Sequence, residues 1–155
     1  MKKDLKICSI SSHGAHLHDL EEALRNVNQR RMYWVTYKTK HTKMVMESKG
    51  RRHYFIIDPV TKKYLFIINA LQSLWHLTIE RPDVIISTGA GMAYPTLYFA
   101  KKIFKAKIIF IESAAAVVDA TKTAKKVYPI SDLFLIQWEE LKSIFPKAVY
   151  TGGVL

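Results

Sequence analysis

Short, unbroken apolar runs alternate with longer stretches of mixed polarity along the whole chain. The runs Leu5 to Ser11, Met32 to Tyr37, His53 to Ile57, Asp83 to Thr88, Lys107 to Ile111, Leu133 to Gln137 and a last pair, Val149 to Tyr150, have the length and β-branched content of strands. Between them, helices are predicted over about His16 to Val27, Lys40 to Lys49, Ala93 to Phe104, Thr121 to Val127 and Glu139 to Ile144. A longer helix is opened by Pro59 and ends before Pro82. Strands that are apolar throughout are covered on both faces, and strands that alternate with helices run parallel, so the pattern predicts an α/β fold: one Rossmann-like parallel sheet with helices on both faces. No repeat and no Pro- or Ser-rich linker divides the 155 residues, which are expected to form a single domain, 1–155.

The long helix is the least conventional segment. At about 100° per residue, Tyr64, Ile67, Ile68, Leu71, Leu74, Trp75 and Thr78 share one face, the face expected to dock on the sheet. Leu65, Phe66 and Leu77 fall outside it. Asn69, Gln72 and His76 interrupt the apolar run, which is also shorter than the ~20 residues that span a bilayer. With Lys62 and Lys63 at its start, the helix has two open readings: a core helix with a few exposed apolar residues, or one that lies against a membrane surface through Lys62, Lys63, Leu65 and Phe66.

Charge narrows the partners without choosing among them. A formal net charge of +11 is spread over loops and helix faces, and such a surface attracts anions: nucleic acid, lipid headgroups or phosphorylated small molecules. The chain has no recognised nucleic-acid module. Its one cysteine, Cys8, excludes a disulfide framework and reads as a small buried hydrophobe in a reducing cytoplasm. No His, Cys, Asp and Glu share a metal-binding spacing, and no cofactor is expected.

Two turns carry candidate chemistry. Pro82 to Ala100 reads as a strand, a small-residue turn Ser87-Thr88-Gly89-Ala90-Gly91, and a helix, with Gly89 and Gly91 expected to take positive φ and to let a ligand approach the backbone. Near the start of the chain, Ser11-Ser12-His13-Gly14-Ala15-His16-Leu17 forms a turn of the same kind. Both fall at carboxyl ends of strands, where parallel sheets bind ligands. Either turn alone equally serves to reverse the chain, and the first lacks a G-x-G-x-x-G run, which argues against a stand-alone nucleotide-binding protein.

These two turns, in order with Ile111-Glu112-Ser113, Val127-Tyr128-Pro129 and Asp132-Leu133-Phe134-Leu135-Ile136-Gln137-Trp138-Glu139-Glu140-Leu141, resemble one family. It is the acceptor-binding, membrane-associating subunit of two-component UDP-sugar glycosyltransferases, which serve dolichol-linked oligosaccharide synthesis in eukaryotes and capsule or exopolysaccharide synthesis in bacteria. More distantly the chain is similar to the N-terminal half of the peptidoglycan N-acetylglucosaminyltransferase, a GT-B enzyme. The resemblance implies that the chain is the N-terminal half of a GT-B fold. A separate donor-binding subunit would bind most of the UDP-sugar, and the acceptor would be a lipid-diphosphate-linked saccharide. The protein is then expected in the cytoplasm, peripheral on the inner face of the cell membrane and inactive without its partner.

By the same resemblance, His16 stands at the position of a general base, a role suited to imidazole near neutral pH. Ser12, Gly14, Thr88, Gly89, Gly91, Glu112 and Ser113 stand at acceptor- or substrate-binding positions. His13 and Ala15 depart from the family, which usually has Ser or Thr and Gly there. Read from the residues alone, His16 simply begins a helix and Glu112 is a capping or salt-bridging carboxylate. A second function class also stays open: a non-catalytic membrane adaptor that recruits and activates the catalytic subunit.

Overall fold

The computed structural model describes residues 4–28, 30–59, 62 and 64–153. Seven strands form one sheet in the order β3-β2-β1-β4-β5-β6-β7, with β1 at Ile7–Ile10, β2 at Met32–Tyr37, β3 at His53–Ile56, β4 at Val84–Ser87, β5 at Lys107–Ile111, β6 at Leu133–Ile136 and β7 at Val149–Tyr150. Every pairing is parallel, and the register sets Ile7 beside both Met32 and Val84. The helices are α1 (Ala15–Ala23), α2 (Lys40–Ser48), α3 (Leu65–Glu80), α4 (Tyr94–Lys102) and α5 (Lys122–Val127). The helix expected at Glu139 to Ile144 is instead a 3₁₀ segment, Glu139–Ser143. At Lys40 to Ser48 the helix starts from a reciprocal cap, in which Thr39 and Thr42 each accept a hydrogen bond from the other's backbone N–H, at 3.0 and 2.8 Å.

Because side chains alternate across a strand, the sheet builds two cores. Tyr33, Val35, Ile85, Ile108 and Phe110 point to the side covered by α3, α4 and α5, where they meet Leu77, Leu97 and Val127. Met32, Trp34, Ile86 and Ile111 point to the other side, against Leu17 and Leu20 of α1 and Met46 of α2. Cys8 lies in the first core with no exposed surface, and burial pushes its thiol up to about 12, so it packs as an inert hydrophobe.

The structure overturns the expected orientation of α3. Ile67, Leu71 and Trp75, assigned by periodicity to the sheet, are 66%, 61% and 59% exposed. The buried side is Asn69, Ser73, His76, Leu77 and Glu80. Hydrogen bonding explains the reversal. The Asn69 amide donates to the carbonyls of Ile57 at 2.6 Å and Met92 at 3.1 Å, backbone acceptors that no apolar residue satisfies. One turn on, Ser73 accepts from Thr96 of α4 at 2.8 Å, and Thr96 also lies 3.4 Å from His76 Nε2. Glu80 closes the stripe by pairing with Lys6 at 2.5 Å and Arg52 at 2.6 Å, and it accepts a hydrogen bond from the Tyr54 hydroxyl. Burial pushes the Glu80 carboxyl up, but Lys6, Tyr54 and Arg52 together hold it below the usual carboxylate range.

Candidate functional site

The sheet order reverses between β1 and β4: from β1 the chain progresses to β2 and β3, and from β4 to β5 and onward in the opposite direction. The turns that follow these two adjacent strands therefore open side by side at the carboxyl edge, the position where parallel sheets hold ligands. One supplies His16 and the other receives it. His16 Nδ1 lies 2.9 Å from the carbonyl oxygen of Thr88, and the Thr88 hydroxyl donates back to the His16 carbonyl at 2.6 Å.

This clasp decides the imidazole tautomer. A carbonyl oxygen only accepts, so Nδ1 carries the proton and Nε2 keeps its lone pair in the neutral ring. His16 is partly exposed, at the first turn of α1. Gly89 is required by its backbone rather than by space: a Cβ there would make ordinary contacts, 3.4 Å from Phe110 Cζ and 3.7 Å from His16 Cε1, but at a φ of +105° that side chains disfavour. The other expected glycine differs. Gly91 is outside the positive-φ region, and Ala90 takes a φ of 73° in its place, so the turn stores strain at a residue with a Cβ. Gly91 instead begins the 3₁₀ turn that leads into α4.

The remaining candidates separate into two groups. Gly14, with φ of 70°, caps α1 through its backbone, its carbonyl accepting from Leu17 and His18, both at 3.1 Å, and it faces open space. Ser12 is buried, with its hydroxyl on the His13 carbonyl and its own carbonyl receiving Thr36. Glu112 is buried as well. Its carboxylate accepts from the Ser113 N–H at 2.9 Å and from the Thr121 N–H and hydroxyl at 3.1 to 3.3 Å, so its oxygens brace the segment between β5 and α5. Burial pushes the Glu112 carboxyl above its usual range despite these donors from Ser113 and Thr121. Ser113 is buried, and its hydroxyl accepts from Ala115 N–H at 3.3 Å.

Of the four membrane-contact candidates, Phe66 is exposed, Leu65 is half-buried, Lys62 places its ammonium 5.8 Å from the Tyr64 ring, and Lys63 lies outside the described residues. Periodicity missed the residues that dominate this surface, Ile67, Leu71 and Trp75, having placed them in the core. It also missed Asp19, one turn beyond His16, which is buried with one carboxylate oxygen lacking a hydrogen-bond partner. The sequence signal was an acid between Leu17 and Leu20 on the inward face of α1. Among the described residues no cluster of His, Cys, Asp and Glu is arranged to hold a metal ion.

Residues 12–154 match the model of a family described as "Oligosaccharide biosynthesis protein Alg14 like". The UDP-N-acetylglucosamine transferase subunit ALG14 of Candida albicans is 36% identical over 103 residues, covering 63% of this chain and 45% of that protein. Its counterpart in Mus musculus is 26% identical over 148 residues, 90% of this chain and 63% of that one. The chain thus spans about half the length of the curated relatives it matches. Among solved structures, MurG of Acinetobacter baumannii superimposes with a TM-score of 0.73 at 11% identity over 86% of this chain and 42% of that one. The UDP-N-acetylglucosamine 2-epimerase of Rickettsia bellii also scores 0.73, at 14% identity over 97% of this chain and 45% of that one. At such identities the likeness is one of fold, and that fold is the Rossmann-like N-terminal half of a GT-B glycosyltransferase.

Proposed function

Since the chain belongs to the Alg14-like family of oligosaccharide biosynthesis proteins, we propose that residues 1–155 act as one acceptor-side domain, the membrane-associated subunit of a split UDP-sugar transferase. A separate donor-binding subunit supplies the other wall of the cleft and most contacts to the nucleotide. The relatives' names make UDP-N-acetylglucosamine the first donor to test. The acceptor is a lipid-diphosphate-linked saccharide, and a capsule or exopolysaccharide setting is a narrower version of the same reading.

The observation that carries the proposal is the tautomer of His16: Thr88 ties down Nδ1 and leaves Nε2 as the proton acceptor. In the reaction an acceptor hydroxyl oxygen attacks the anomeric carbon while Nε2 takes its proton. The bond from that carbon to the diphosphate breaks, UDP leaves with the electron pair, and the configuration inverts. Thr88 acts here as a positioning residue, and Gly89 supplies the positive-φ turn that follows it. Ser12, Gly14, Gly91, Glu112 and Ser113 shape the loops around the acceptor.

Membrane attachment is assigned to the outward face of α3. Phe66, Ile67, Leu71 and Trp75 are exposed apolar side chains on a strongly basic protein, and an apolar face with cationic charge is the usual pair of signals for reversible binding to an anionic bilayer. Among the described residues no helix is long and apolar enough to cross a membrane. The proposed attachment is peripheral, at the cytoplasmic face, with Lys62 and Leu65 at the edge of the contact. Exposed Leu133, Val149 and Tyr150 near the β6–β7 edge offer separate apolar surface for the partner subunit.

The test is His16→Ala in the assembled enzyme. Loss of a general base lowers turnover by ~10²–10⁴, with folding, partner binding and donor KM retained. Turnover equal to the wild type overturns the catalytic assignment in favour of an adaptor whose partner holds the base.

A further inference from the structure

At the carboxyl edge, on the α3 and α4 side of the sheet, lies a cleft of about 250 Å³ lined by Pro59, Phe66, Gly91, Tyr94, Lys122 and Lys126. Its two lysines stand four residues apart on α5, so they project from the same side of that helix. Neither has a carboxylate within ion-pairing distance among the described residues, and no acidic side chain lines the cleft. The Lys126 side chain is exposed, and its ammonium sits 5.7 Å from the centre of the Tyr94 ring, which gives one of the two charges an aromatic neighbour. Opposite, Phe66 belongs both to this cleft and to the exposed apolar face of α3.

We propose that the Lys122–Lys126 cleft is the headgroup subsite for an amphiphilic diphosphate, a prenyl-type lipid whose chain runs out past Phe66. The inference rests on the acceptor-subunit reading above and assigns the part of the acceptor that reading leaves unplaced. Two ammonium groups match a diphosphate, which presents several anionic oxygens at once. Phe66, Pro59 and Tyr94 match the first carbons of an apolar chain. Position adds a further match: Gly91 lines the cleft, and Gly89, two residues earlier, directly follows Thr88, whose carbonyl lies 2.9 Å from His16 Nδ1. Two residues extend at most about 7 Å, so a sugar joined to a diphosphate in the cleft reaches toward Nε2. Phosphorylated sugars without a lipid share the anionic chemistry but leave the Phe66 side of the cleft empty.

Calorimetric titration of the full chain with farnesyl diphosphate, and separately with inorganic pyrophosphate, tests the subsite without requiring a membrane or a partner. Farnesyl diphosphate is expected to bind more tightly than pyrophosphate. Changing Lys122→Gln and Lys126→Gln together weakens farnesyl diphosphate at least about tenfold, from the loss of two charge-assisted contacts. The charge-matched pair Lys102→Gln with Lys125→Gln, outside the cleft, changes it less than about twofold. Equal weakening by both pairs, or none by the cleft pair, overturns the proposal. A second arm uses vesicles of phosphatidylcholine with phosphatidylglycerol: if the cleft pair weakens binding to these more than binding to farnesyl diphosphate, the lysines serve general attraction to phospholipid and the subsite is refuted. The wider reading fails separately. An assembled enzyme that turns over a lipid-diphosphate acceptor with KM unmoved by the cleft pair refutes the subsite alone. Equal turnover of saccharides lacking lipid diphosphate, with farnesyl diphosphate still bound in the cleft, refutes the acceptor reading alone.

Discussion

Replacing Asn69 by Ala tests the inverted packing of α3 more directly than any change on its apolar face. The side chain has no exposed surface, and its amide donates to the carbonyls of Ile57 and Met92 at 2.6 and 3.1 Å. Truncation removes two hydrogen bonds and leaves one buried acceptor, on Met92, and one part-buried acceptor, on Ile57, unpaired, which costs about 2–4 kcal/mol. For a domain of this size each kcal/mol lowers Tm by roughly 2–4 °C, so the midpoint falls by about 4–16 °C. Leu71→Ser is the paired measurement. Leu71 is 61% exposed, and its replacement shifts stability by no more than about 0.5 kcal/mol. If α3 docked through its apolar face, the order would reverse, because truncating a buried leucine costs about 2–5 kcal/mol and Asn69 would be a solvent-facing residue. Urea unfolding of both variants, followed by circular dichroism, reads the two values in one experiment. A large loss for Leu71→Ser with a small one for Asn69→Ala refutes the reasoning.

Two further outcomes follow from the same packing and from the turn after β4. Burial holds the His76 imidazole down at about 4, outweighing the nearby Glu80 charge. In the unfolded chain a histidine titrates near ~6.5 and so binds a proton that the folded state refuses. Stability contributed by the neutral ring is therefore full above that pH and is lost as pH falls toward about 4, by up to about 3 kcal/mol. Urea midpoints from pH 7 to 4 are expected to fall for the wild type and to flatten in His76→Gln; parallel slopes would contradict this account. In the turn, Gly89→Ala and Ala90→Gly are expected to act with opposite sign. The first forces a side chain onto a φ of +105° beside Phe110 and His16, costing about 1–3 kcal/mol, and the second relieves the strain at Ala90. Thermal melts that place both variants below the wild type would argue against strain at Ala90.

Local pattern alone determined the alternation of strands and helices, the parallel sheet and the two turns at its carboxyl edge. Strands such as Ile108 to Ile111 are apolar on successive positions, and a strand of that kind is stable only when covered on both sides, so its environment is written into its own residues. The His16 turn was legible for a similar reason: its glycine, its histidine and the helix start are neighbours in the chain. Periodicity failed at α3 because a helical wheel records where apolar residues fall and assumes that this face turns inward. The side that turns inward was decided by groups far away in sequence: the Ile57 and Met92 carbonyls, the Thr96 hydroxyl, and the cations Lys6 and Arg52, 74 and 28 residues before Glu80. Tertiary structure likewise turned Glu112 onto Thr121 and brought Lys122 and Lys126 to Phe66 and Tyr94 from separate crossovers. The α3 and Glu112 outcomes depend on satisfying a polar or charged group at depth, and the partner that satisfies it is chosen by the fold; the exposed Lys122 and Lys126 meet Phe66 and Tyr94 only because the sheet brings their crossovers together.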